Sequence, residues 1–166
     1  GPGVEIRAGR RFEAPVDMRP LGMGEGADSS RSFGMTREGR VATLLGYRLT
    51  PVAPRAGEPF TLTLFWEAGV PTDIPYTVFV HLTPPDEPGF LITQHDGWPS
   101  LGQKPPHTWV EGEVVTDPHP LAGVPVGVYA LRVGLYGPDG TRLGVYTAAG
   151  DRAGDAVTVA VTVGGR

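Results

Sequence analysis

The residues best suited to chemistry in this chain are four histidines and the carboxylates beside them. His95-Asp96 closes one alternating run, Asp117-Pro118-His119 closes another, and His81 and His107 stand apart. Imidazole and carboxylate together ligate divalent metals or pass protons. A His/Asp metal site would need the two run ends to meet in space, and the spacing carries no local ligand signature. We therefore expect these groups to anchor loops, with no metal and no cofactor. Residues 150–155 offer two aspartates, too few oxygens for calcium without backbone carbonyls. A glycosidase needs two carboxyls facing across a cleft; Glu111 and Glu113 share one face of a strand, so spacing alone does not exclude them, but no other acidic cluster supports the idea. There is no Gly-x-Ser-x-Gly elbow, and Ser100 beside His95 and Asp96 reads as a coincidence of loop composition. The run Gly22-Met23-Gly24-Glu25-Gly26 has no strand before it and no helix after it, both of which a phosphate loop requires. The absence of cysteine excludes disulfides, thiolate zinc sites and thiol nucleophiles together. No catalytic residue is assigned, and the chain is expected not to be an enzyme.

Aromatic rings are the other candidates. Trp66 alternates with apolar neighbours and reads as core. Trp98 and Trp109 fall in a long connection, with Phe90 and Tyr146 as possible neighbours. Loop tryptophans either fold back as plugs over a sandwich end or present a face on which a sugar ring stacks. The ligand-binding candidates are therefore Trp98, Trp109, His95 and Asp96. The plug is the expected role, and a glycan platform is the functional alternative.

Short strands must position these groups. Residues 127–136 alternate cleanly: Tyr129, Leu131, Val133 and Leu135 face one way, Val128, Ala130, Arg132 and Gly134 the other. Gly137-Pro138-Asp139-Gly140 then turns the chain into residues 141–146, so a hairpin is expected. Tyr129, just after Pro125-Val126-Gly127, occupies the place of a tyrosine corner. Further strands are expected at 41–49, 60–67, 76–83, 90–95, 113–117 and 156–163, with 118–125 as a linker. Phe60, Leu62, Leu64 and Trp66 share one face of their strand, and Tyr76, Val78, Val80 and Leu82 point inward from theirs. His81 faces solvent or another layer. No useful 3.6-residue period occurs. Seven to nine short strands punctuated by turns predict an all-β fold, an antiparallel β-sandwich of immunoglobulin-like or jelly-roll-like form.

The 166 residues suit one domain, and 40% hydrophobic content suffices for a core. The chain divides into residues 1–40, an N-terminal arm or one or two edge strands (around Val4 and Ile6, and around Phe12) with a Gly/Met-rich loop, and a sandwich over 41–166. Gly1-Pro2 is a protease scar or the start of a trimmed chain. A net charge of −4 with no basic face argues against nucleic acid. No apolar run approaches a membrane span. Lys104 is the single lysine among 14 basic residues, which fits thermophily or a GC-rich genome.

The segments LLGYRL (44–49), FTLTLFWEA (60–68), YTVFVHLTPPD (76–86), LITQHDGWP (91–99), TWVEGEVVTDPHPL (108–121), GVYALRVGLYGPDGTRL (127–143) and DAVTVAVTV (155–163) occur in this order. Together they resemble a bacterial β-sandwich domain, the extracytoplasmic C-terminal tail of membrane-embedded glycosyltransferases of the protein O-mannosyltransferase type. The resemblance covers residues 41–163. It implies an extracytoplasmic accessory module, because the catalytic carboxylates of such proteins lie in the membrane part. A parent membrane domain or a glycan is then the expected partner. Alternatives are a carbohydrate-binding module using Trp98 and Trp109, or a surface subunit that assembles into a homo-oligomer by exchanging a strand from residues 1–40.

Overall fold

Period-two alternation needs a second apolar face to close on, and the chain supplies two. The computed structural model describes residues 12–22, 30–35 and 39–165. Nine strands are present among them: β1 (Arg31–Phe33), β2 (Ala42–Thr50), β3 (Phe60–Ala68), β4 (Thr77–Thr83), β5 (Thr93–Gln94), β6 (Val114–Leu121), β7 (Gly127–Tyr136), β8 (Val145–Tyr146) and β9 (Val157–Val163). One sheet has the order β6-β3-β2-β1-β8 and the other β5-β4-β7-β9, with every pairing antiparallel. The protein is an all-β sandwich.

The expected inward faces form the core. Leu62, Leu64 and Trp66 from β3 meet Val78, Val80 and Leu82 from β4 and Leu131, Val133 and Leu135 from β7, all without solvent contact. The Tyr129 hydroxyl donates to the Pro125 carbonyl at 2.7 Å, which is the tyrosine corner that its position predicted. The outer faces are partly covered as well. Phe65 is buried beneath Arg48, whose guanidinium lies 5.4 Å from the ring centre. Phe79 lies beneath Arg142 in the same manner, at 4.1 Å.

Three elements depart from the expectations. The hairpin after β7 does not continue. The turn closes, with Gly140 N–H on the Gly137 carbonyl at 2.8 Å, and Tyr136 bridges Arg142. The chain then crosses to the other sheet, where Val145 pairs with Phe33 of β1. The reason is occupancy: a continued hairpin would bring residue 145 opposite Val133, where β7 already pairs with Val157 of β9 on one edge and Val80 of β4 on the other. Second, β6 runs on through Pro118 and Pro120, which the sequence reading assigned to a linker. β6 is an edge strand, and an edge is where a strand tolerates residues without an N–H. Third, the described part of the first forty residues joins the sandwich. β1 pairs with β2, and Phe33 packs edge-on against Trp66 with ring centres 5.1 Å apart. Arg19 exchanges both backbone hydrogen bonds with Tyr47. Gly46 makes this approach possible, since a Cβ there would lie 2.6 Å from the Arg19 carbonyl oxygen. The expected strand around residues 4–6 and most of the 22–26 glycine run lie outside the described residues. No described helix is long and apolar enough to cross a membrane.

Candidate functional site

The two histidine-bearing run ends do meet. β5 lies at the edge of one sheet and β6 at the edge of the other, and His95 and His119 join them. Their Nδ1 atoms are 2.8 Å apart. His119 Nδ1 also lies 3.1 Å from the His95 carbonyl oxygen. A carbonyl only accepts, so His119 Nδ1 carries a hydrogen, and His95 Nδ1 accepts it. His95 then keeps its own hydrogen on Nε2.

On its other side His119 Nε2 meets Asp117 Oδ2 at 2.7 Å, where both side chains are buried. Two more donors reach the same carboxylate: Trp66 Nε1–H on Oδ2 at 3.0 Å and the Ser100 N–H on Oδ1 at 3.0 Å. The carboxylate is thus met by three groups, the Trp66 indole, the Ser100 amide and the His119 ring. The assignment is an imidazolium at His119, held between the Asp117 carboxylate and a neutral His95 ring. Residues 117 and 119 lie on the same face of β6 because they are two apart, and that face is the core face shared with Trp66.

Burial, together with the charge on the neighbouring His119, pushes the His95 imidazole below its usual range, with Asp117 pulling weakly the other way. Asp96, the next residue, points to the outer face of the second sheet. Its Oδ1 lies 3.4 Å from His81 Nε2, and its Oδ2 accepts from the Tyr136 hydroxyl at 3.2 Å. Burial raises the Asp96 carboxyl, but the hydrogen bond and charge of His81 and the bond from Tyr136 outweigh it, and the group ends below the usual carboxylate range. Thus one dipeptide ties β5 inward to β6 and outward to β4 and β7.

Ser100 is a part of this site that sequence reasoning dismissed. It donates through its hydroxyl to the Thr116 carbonyl at 2.6 Å and through its N–H to Asp117. Ser100 and Leu101 both have positive φ, 58° and 55°. That backbone is costly for residues other than glycine, and the two bonds to β6 hold it.

The tryptophans separate. Trp109 is buried, and its indole N–H donates to the Lys104 carbonyl at 2.8 Å; it is a plug on the long connection. Glu113, weighed above as a carboxylate for chemistry, accepts from the Val110 N–H and from Lys104 in the same connection. Trp98 remains 43% exposed, with His107 edge-on at 6.2 Å. A paired Trp98/Trp109 platform therefore does not exist on the surface. Trp98 Nε1–H reaches the Pro75 carbonyl at 3.3 Å, and Pro75 lines a cleft of about 460 Å³ with Asp73, Tyr76 and Asp139. Among the described residues, no group of three His, Cys, Asp or Glu side chains is arranged to hold a metal. The His95–His119 contact is a hydrogen bond between rings, and the other nitrogen of His119 is taken by Asp117. No protein-family model matches the chain, and no curated protein matches it.

Proposed function

We propose that this chain is a non-catalytic interaction module displayed outside the cytoplasm, accessory to a membrane or cell-surface protein. The groups with most chemical potential, Asp117, His119 and His95, are engaged with one another and with Trp66 and Ser100 inside the sandwich edge. The extracytoplasmic placement rests on the resemblance to glycosyltransferase tails. The observation that carries the interaction reading is an apolar end. Phe90, Leu91 and Ile92 are consecutive and 58, 43 and 36% exposed. Pairing of Thr83 with Ala130 brings their loop to the end of the sandwich that also exposes Val126 and Val128. Consecutive exposed apolar side chains on a rigid end suit a partner surface. The partner on this reading is the parent membrane domain.

The test is cosedimentation of the purified chain with envelope vesicles from the producing cell. The expected result is retention of the chain, and loss of retention in a Phe90→Ser/Leu91→Ser/Ile92→Ser variant that keeps the wild-type circular dichroism spectrum. A wild-type chain that stays in the supernatant, or a variant that is retained as well, contradicts the reading.

A second reading, glycan binding, is favoured by one observation: the exposed Trp98 ring beside the cleft of Asp73, Tyr76 and Asp139. An exposed indole face stacks on sugar rings while carboxylates accept from hydroxyls. It requires that a glycan panel give binding that Trp98→Ala abolishes.

A further inference from the structure

Among the described residues the sandwich has one long strand edge that is neither short nor broken by proline. β5 and β8 are two residues each, and β6 carries Pro118 and Pro120. Short edges and prolines are the usual ways a sheet edge is kept from pairing with another chain. β9, at the end of the order β5-β4-β7-β9, has seven residues with no charge, no proline and no bulge.

Gly164 shows which of its backbone groups face outward. The Gly164 N–H donates to the Pro54 carbonyl at 2.9 Å, and its carbonyl accepts from the Ala56 N–H at 2.8 Å, both on the side away from β7. Backbone groups alternate sides along a strand, so those of Thr162, Ala160 and Thr158 face the same way. Among the described residues no backbone group pairs with them.

The sequence of this edge is Val-Thr-Val-Ala-Val-Thr-Val, which reads the same in both directions about Ala160. An antiparallel partner running through a two-fold axis at Ala160 therefore meets an identical sequence. Thr158 of one copy faces Thr162 of the other, Ala160 faces Ala160, and all three positions have outward N–H and C=O groups. Each is a pair that exchanges both backbone bonds. The threonines are exposed and cross the new seam as Thr–Thr pairs, a favourable cross-strand combination.

The ground beside the edge fits such a strand. A cleft of about 440 Å³ lies there, lined by Leu49, Val52, Arg55, Ala160 and Thr162 among others. Val52 is 59% exposed. An added strand turns its valines toward Val52 and Leu49. Residues 54–56 already occupy the outward side of Gly164, where residue 156 of the other copy would fall, so the paired stretch is bounded to residues 158–162 of each copy.

We infer that the partner for this edge is a second copy of the chain, joined β9 to β9 in a two-fold dimer with one continuous eight-stranded sheet. The inference stands independently of the proposed accessory role. Sedimentation velocity over a concentration series tests it on the wild type, Ala160→Pro, Ala160→Lys and a chain lacking residues 1–11. Proline at Ala160 removes an outward N–H, which a strand edge tolerates, and lysine places like charges across the axis. The wild type is expected to reach twice the 17.6 kDa chain mass, and the shortened chain twice its own mass. Both substitutions are expected to weaken association by about tenfold or more while leaving the circular dichroism spectrum unchanged. A wild type that stays monomeric throughout overturns the inference. So does a dimer that survives both substitutions, or one lost when residues 1–11 are removed, which would assign assembly to the N-terminal segment instead.

Discussion

Asp117 is fully buried, yet it accepts from an indole, a backbone amide and an imidazolium at once. Its charge is balanced within the edge, and that balance is what a substitution would disturb. His119→Ala leaves the carboxylate without its counter-charge inside the fold. Breaking a buried pair from one side costs about 3–5 kcal/mol, so chemical denaturation should show a loss of that order. The pH dependence follows from His95. Its folded-state pKa lies below the ordinary 6.5, because burial and His119 disfavour a second positive ring. As pH falls below 6.5 the unfolded chain takes up a proton at this residue before the folded one does, so the contribution of His95 is complete above 6.5 and is lost as pH falls toward its folded-state value. Asp96 acts in the same direction at lower pH, since its depressed carboxyl is stabilising only while ionised. Melting temperature measured from pH 8 to 5 should drop below about 6.5, and His95→Asn should flatten the upper part of that drop. His81, Asp96, His119 and Asp117 are the charged or titratable groups that face His95 or flank it, and the variant retains them all.

At the scale of elements, the long alternating runs were legible and the short or proline-bearing ones were not. β3, β4 and β7 follow from period two alone, as does the placement of Tyr129. β1 is three residues long, too short for a period, and takes its place only because the edge of β2 offers partners. Pro118 and Pro120 suggested a linker, and edge position reversed that. The turn at residues 137–140 was read correctly, but turn chemistry says nothing of which sheet the next strand joins. The site was legible in part. His95 and Asp117-x-His119 were identified as groups that would matter if their strand ends met. That Trp66 and Ser100 complete the set depends on cross-strand register and on a strained loop, neither of which has a local signature. The docking of residues 12–22 can be tested at Gly46. A Cβ there collides with the backbone of Arg19, so Gly46→Ala should lift residues 12–22 from β2. Limited chymotrypsin digestion should then cut after Leu21, which is buried in the docked segment, faster than in the wild type. An unchanged cutting rate would mean that the segment is held by other contacts.

The whole molecule is asymmetric across its width. One side, where β5 meets β6, is locked by a hydrogen-bonded chain that passes from Trp66 through Asp117 and His119 to His95. The other, along β9, is unpaired among the described residues and flanked by a cleft. A sandwich with one sealed side and one open side is suited to joining another surface in a fixed orientation. In the associations proposed above, the contacts are made by the backbone groups of β9 and the apolar end at Phe90, while the histidines and aspartates serve rigidity.

The central claim is that His119 is a charged, fully bonded structural ring and His95 its neutral acceptor. Long-range nitrogen–proton correlation spectra of the histidine rings at pH 7 test it directly. The account predicts imidazolium nitrogen shifts for His119, slow exchange of both its ring protons, and a neutral His95 with hydrogen on Nε2. A neutral, freely exchanging His119, or a His95 that titrates at its ordinary value, would contradict it.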